Sequence, residues 1–161
     1  MNDASAAGHD FPVPSPFPPA SEPDEAWVAW ANAFEPARRL NLECLELSSG
    51  RATFIVKADP FIPNPNGAVS GAIVAAIADL ALGIGLARIL DEGHTPRTGS
   101  LQVQYHRPVR LPVTVTVTIL PGGRRIQFLE AVLTDAAGQR CASAQATMTS
   151  VGPPLAAGRQ V

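Results

Sequence analysis

Between Gly67 and Leu86 the chain holds one charged residue, Asp79, in "GAVSGAIVAAIADLALGIGL". Burying a carboxylate without a partner is costly. Set in an apolar cleft, the same group can serve as a general base or a nucleophile. The structural alternative places Asp79 at an edge of the packing, capping a neighbouring backbone group. Ser70-Gly71 stands nine residues earlier, where a helix through this run would begin. A helix start presents free backbone N–H groups and a partial positive charge. Such donors can polarise a carbonyl oxygen. Nine residues at helical rise are about 13 Å, too far for one substrate carbonyl to sit against both in one chain. Two chains packed antiparallel through this helix would bring one Gly71 to the other's Asp79, so the chemistry asks for a homodimer or a larger assembly.

The elements around the run decide between a membrane span and a core helix. Twenty residues suffice to cross a bilayer. Against that, Ala and Gly dominate, a central Asp costs roughly 2.5–3.5 kcal/mol on insertion scales, and the flanks read as strands rather than charged anchors. A helix over about residues 70–90, apolar all round, belongs inside a protein. Its small residues, Ala72, Ala75, Ala76, Ala78, Gly83 and Gly85, permit close approach of a sheet or a partner helix.

Upstream, "FPVPSPFPPASEP" has six prolines in thirteen residues. Neither a helix nor a central strand tolerates that, so residues 1–23 read as an extended arm. "DEAWVAWANAFEPARRL" is a short amphipathic helix. It has acids at its start and Trp27, Trp30 and Phe34 at helical spacing, and it ends near Pro36. "LNLECLELSS" and "RATFIVKA" are strands joined at Ser49-Gly50. After the long helix, "TGSLQVQYHRPV", "LPVTVTVTIL", "RRIQFLEAVLTD" and "RCASAQATMTS" are four more. Their short joints suggest consecutive antiparallel pairing. The fold class is α+β: an antiparallel sheet of five or six strands with one long central helix. The domain spans 24–151, and 152–161 is a tail.

Composition narrows the function. A length of 161 residues suits one domain, and 46% hydrophobic with 16% charged residues suits a globular one. A net charge of -2 leaves no footprint for nucleic acid. Cys44 and Cys141 lack metal or redox spacing. With no signal-peptide pattern at the start, they read as reduced thiols of a cytoplasmic protein. No metal-ligand cluster is present. The sequence "GIG" lies inside the helix rather than after a strand, so it is no dinucleotide motif.

The spacings of Asn64, "SGA" at 70–72 and Asp79 resemble those of the hotdog-fold acyl-CoA thioesterases, in particular the phenylacetic-acid-degradation (PaaI-type) group. That family has an Asn, a His-Gly-Gly six residues on, and an acid nine residues after the His. Thr98 matches its Ser or Thr some nineteen residues past the acid. "YHRPV" at 105–109 and the closing hairpin, "GGRRIQFLEAVLTDAAGQRCASAQATM", are similar too, and the likeness covers roughly residues 40–150. It implies a sheet wrapped round the helix and hydrolysis of an acyl-CoA thioester carrying a medium-chain or aromatic acyl group. CoA enters as part of the substrate, with no separate cofactor, and the assembly is a dimer or tetramer.

The resemblance also assigns roles. Asp79 deprotonates water or attacks the carbonyl, the Gly71 N–H polarises it, Asn64 orients water or substrate, and Thr98 bonds Asp79 or the water. Arg107, Arg124 and Arg125 are candidates for the CoA phosphates, since Arg binds phosphate in bidentate fashion. Each also has a plainer reading: turn chemistry for Asn64, a strand threonine for Thr98, solvated arginines on a hairpin. The departure is Ser70, which stands where the family has His. It can cap the helix but supplies no cationic group. His94 and His106 fall elsewhere and read as surface residues. Two other readings follow: an acyl-CoA-binding module without turnover, and an enoyl-thioester hydratase, which would want a His beside Asp79.

Overall fold

The computed structural model describes residues 17–58, 63–123 and 125–152. In chain order it forms α1 (Asp24–Ala33), α2 (Glu35–Arg39), β1 (Leu42–Ser48), β2 (Arg51–Val56), α3 (Gly71–Ala87), β3 (Thr95–Tyr105), β4 (Val113–Leu120), β5 (Gln127–Asp135) and β6 (Arg140–Val151). The six strands make one sheet, ordered β1-β2-β4-β5-β6-β3. Every ladder is antiparallel. Helix α3 lies against all six strands.

Alternation builds this arrangement. On β4, Val113, Val115 and Val117 are buried against the helix side, and the intervening threonines face outward. Leu129, Ala131 and Leu133 of β5 and Ala142, Ala144, Ala146 and Met148 of β6 continue the same inner surface. Small side chains on both partners let the helix sit close. A Cβ on Gly85 would lie 3.0 Å from the Val117 side chain, so even alanine there would require the valine to give by a few tenths of an ångström.

Consecutive pairing of the last four strands is corrected at one joint. β3 does not pair with β4; it lies on β6, at the far edge of the sheet. The link between them, 106–112, is no tight turn. Pro108 and Pro112 cannot donate to a ladder, and the Val109 carbonyl accepts the Val69 N–H, tying the link to the loop before α3. β4 is thereby carried across to β2.

At the N-terminal end, Pro36 does not stop the helix. α1 ends at Ala33, and Pro36 sits in the first turn of α2, where its missing N–H costs nothing. Of the proline-rich arm, residues 1–16 lie outside the described residues, as do 153–161 of the tail. The end of the arm docks on α1. Phe17 stacks on Trp27, with centroids 6.4 Å apart, and meets Trp30 edge-on at 5.0 Å. Arg88, capping the C-terminal end of α3, clamps this corner. Its guanidinium donates to Asp24 at 2.9 and 3.1 Å and to the Ala20 carbonyl at 3.4 Å, and lies over the Trp27 ring.

Candidate active site

Asp79 is half-buried at the middle of α3. The Thr98 hydroxyl donates to its Oδ1 at 2.8 Å. Strict alternation would forbid this contact. Leu101, Val103 and Tyr105 share one face of β3, opposite Ala146, Ala144 and Ala142, and that parity turns residue 98 away. The register slips between Thr98 and Ser100, so Thr98 falls opposite Met148, on the buried side. This is a β-bulge, which re-aims a side chain by inserting one residue. The extra residue is Gly99, where a Cβ would lie 3.2 Å from the Thr147 carbonyl. A hollow of about 190 Å³ opens beside the pair, walled by Phe17, Trp30, Phe34, Leu80, Ile84 and Pro96. Among the described residues the acid thus has one hydrogen-bond partner, the Thr98 hydroxyl, in an apolar, aromatic-rich recess.

Gly71 is the first residue of α3. Ser70 is the N-cap residue, but its hydroxyl makes no capping bond, so the backbone donors of the first turn, orphaned by helix geometry, keep their capacity for a ligand. The Tyr105 hydroxyl donates to the Gly71 carbonyl at 2.7 Å. A Cβ on Gly71 would lie 3.4 Å from the tyrosine ring and hydroxyl. That is ordinary van der Waals contact, so the ring and its hydroxyl bond hold the helix start without depending on the missing side chain. The amino-acid pattern points to no role for Tyr105 beyond its place in "YHRPV"; the pairing of a glycine with an aromatic 34 residues on is visible only once β3 is laid beside α3.

The remaining candidates group with Gly71. Asn64 lies in the same hollow, of about 380 Å³, together with Gly71, Tyr105 and Arg107. Its side-chain oxygen accepts the N–H groups of Asn66 (2.9 Å) and Ala68 (3.1 Å), and its carbonyl accepts that of Gly67, so it folds the loop that leads into α3. The Arg107 guanidinium bonds the Gln139 side chain. Arg125 is exposed in the β4–β5 turn, away from both hollows. Arg124 lies outside the described residues. His106 bonds Ser143 at 2.8 Å, and neither it nor His94 lines the Asp79 hollow as described. Among the described residues no cluster of His, Cys, Asp and Glu is set to hold a metal ion, and no helix is long and apolar enough to cross a membrane.

The two hollows share no lining residue. One chain therefore holds two separate groups: an acid with a hydroxyl partner, and a helix start with open donors. Between them α3 presents Ala72, Ala75 and Ala76, exposed or half-buried on the face turned from the sheet.

The family model of the thioesterase superfamily matches residues 66–142 of the chain, from the loop before α3 into β6. The fold is the hotdog fold. A thioesterase from Haemophilus influenzae superposes with a TM-score of 0.73 at 19% identity, over 86% of this chain and 96% of that one. A Bacillus halodurans protein solved with CoA gives 0.65 at 23%, over 73% and 78%. A phenylacetic acid degradation-related putative thioesterase from Ralstonia eutropha gives 0.65 at 22%, over 70% and 87%. At such identities the likeness is one of fold. No curated protein matches the sequence.

Proposed function

We propose that the protein is an acyl-CoA thioesterase, acting as a homodimer or larger assembly on a medium-chain or aromatic acyl group. The observation that carries this is the Thr98–Asp79 hydrogen bond at the wall of an aromatic hollow. A carboxylate with a single polar partner among the described residues, facing apolar walls, is placed to meet a reacting group rather than to hold the fold. The presence of CoA in the Bacillus halodurans structure supports CoA as the carrier, and the Ralstonia eutropha relative supports an aromatic acyl group.

Asp79 takes a proton from water, and the hydroxide attacks the thioester carbonyl carbon. The Gly71 N–H donates to the oxygen as it becomes an oxyanion. The C–S bond then breaks. CoA leaves as a thiolate and takes up the proton, and the free acid remains. In the variant of this route, Asp79 itself attacks and water splits the resulting anhydride. Thiolate is a good leaving group, so one base and one oxyanion donor suffice. CoA is part of the substrate, and no further cofactor enters.

The half-sites are brought together by a second copy. Antiparallel contact of two α3 helices centred on Ala75 and Ala76 places one Gly71 against the other chain's Asp79, and small side chains there allow that approach. The β3 edge of the sheet gives a second motive. It is eleven residues long, and a long open edge calls for a cover. Localisation in the cytoplasm fits the two buried free thiols.

The test is thiol release from a panel of acyl-CoAs. Hydrolysis of at least one, reduced about 10²–10⁴-fold in Asp79→Asn without a change in melting temperature, is the result expected. Equal rates in the two proteins would make Asp79 structural. A reading without turnover, acyl-CoA binding alone, has one observation in its favour: Ser70 supplies no imidazole at the helix start. Binding of acyl-CoA with no thiol release would favour it.

A further inference from the structure

We infer that Phe17, from the proline-rich arm, is the end wall of the acyl pocket and limits the acyl group to about the size of one ring; this rests on the thioesterase reading above. Phe17 is half-buried and held in place from two sides. It packs on Trp27 and Trp30, and the arm that carries it is tied down by Arg88 through the Ala20 carbonyl and Asp24. Trp30 in turn stacks on Phe34 at 5.3 Å. These rings form the far side of the recess that Asp79 and Thr98 open into.

Behind that side lies a second, larger hollow of about 630 Å³, between the arm and the segment that follows α3. Phe17, Phe34 and Pro96 line both hollows, so they are the partition between them. Phe34 and Pro96 belong to the folded domain. Phe17 is the part of the partition that the arm supplies. A closed apolar cavity of about 150 Å³ holds a benzene ring. The 190 Å³ recess therefore takes one ring, or a short alkyl chain of similar volume, before it meets Phe17. With the phenyl group removed, the recess would run on into the larger hollow. Each further methylene buried there would favour binding by roughly fourfold, from about 0.8 kcal/mol per CH₂.

The experiment uses the full chain as wild type, Phe17→Ala and Phe17→Leu, with folding checked by thermal melting. Two profiles are taken against acyl length: kcat/KM on benzoyl-, hexanoyl-, decanoyl- and myristoyl-CoA, and affinity for the matching non-hydrolysable S-alkyl-CoA thioethers, read by quenching of Trp27 and Trp30 fluorescence. The wild type should favour the benzoyl and hexanoyl compounds. Phe17→Ala should gain on decanoyl and myristoyl by tenfold or more relative to hexanoyl, at roughly fourfold per methylene placed, with Phe17→Leu between them. Folded variants with the wild-type length profile would overturn the proposal, even if hydrolysis persists and the thioesterase reading stands. A Phe17-dependent length profile in thioether binding with no thiol release would support the pocket and remove the thioesterase reading. Neither binding nor hydrolysis would overturn both. If Phe17→Ala fails to fold, the Phe17→Leu profile decides, an unchanged one counting against the wall.

Discussion

Thr98, on the edge strand β3, donates its hydroxyl hydrogen to the carboxylate of Asp79 on α3 at 2.8 Å, and a one-residue bulge at Gly99 is what turns it there. A hydrogen bond to a charged group is worth about 1.5–3 kcal/mol. Thr98→Val should therefore lower kcat by roughly ten- to a hundredfold on a responsive acyl-CoA, while Thr98→Ser, which keeps the hydroxyl, should stay within a fewfold of wild type. Equal kinetics for Thr98→Val and wild type would mean that the hydroxyl only packs.

At the other end of the same strand, Tyr105 bonds the Gly71 carbonyl at 2.7 Å. Tyr105 acts through the helix start rather than on the substrate, so it is a positioning residue. Tyr105→Phe keeps the ring against Gly71 and removes one hydrogen bond, a loss of about 0.5–1.5 kcal/mol. The expected result is a two- to tenfold fall in kcat with little change in KM. A rise in KM alone would place Tyr105 in substrate binding instead.

Much of this fold is legible in the sequence, and the reasons are physical. The apolar run with small residues predicts the core helix over about 70–90, observed as Gly71–Ala87. The valine–threonine alternation predicts the buried face of β4. The order of strands is not legible in the same way. The 106–112 link is short enough to suggest a hairpin, and only its bond from Val69 to Val109 shows where it leads. The acid at 79 stands out because burial makes it expensive. The partner at 98 depends on a bulge that alternation alone would miss. The prolines of the arm indicate extended chain, but not that Phe17 reaches the aromatic cluster of α1.

Ser70 makes no capping bond, so Ser70→Ala should change the melting temperature little, below the ~1 kcal/mol typical of a lost cap. Ser70→His adds a donor and bulk beside the Gly71 N–H. It should raise turnover or change acyl preference, unless overpacking, about 1–3 kcal/mol, prevents folding. The measurement is kcat/KM for wild type and both variants on one acyl-CoA. Unchanged kinetics in both folded variants would remove position 70 from the site, and with it the register linking Asn64 and Thr98 to the family.

Burial pushes the Cys44 thiol up to about 12, against a smaller lowering by its bond to the Glu46 backbone. An unfolded thiol ionises near pH 8.5. Above that pH the unfolded chain gives up a proton that the folded chain keeps, so stability falls as pH rises from there towards about 12, and is unaffected below. Denaturant melts across this range should show a shallower alkaline decline in Cys44→Ala than in wild type. Identical slopes would contradict the assignment.

In the proposed dimer each site is built from two chains, which complementation of two inactive variants can show. Asp79→Asn disables one half-site. Gly71→Pro disables the other by removing the N–H; proline suits a first helical position, and Ser70 before it is already extended, at ψ 139. The two variants are co-expressed with different tags, and the mixed dimers are purified through both. In a two-fold dimer each mixed pair holds one intact site, so purified heterodimers should show roughly half of the wild-type rate, and an unsorted equal mixture roughly a quarter. Heterodimers as inactive as the two parents would contradict the shared site.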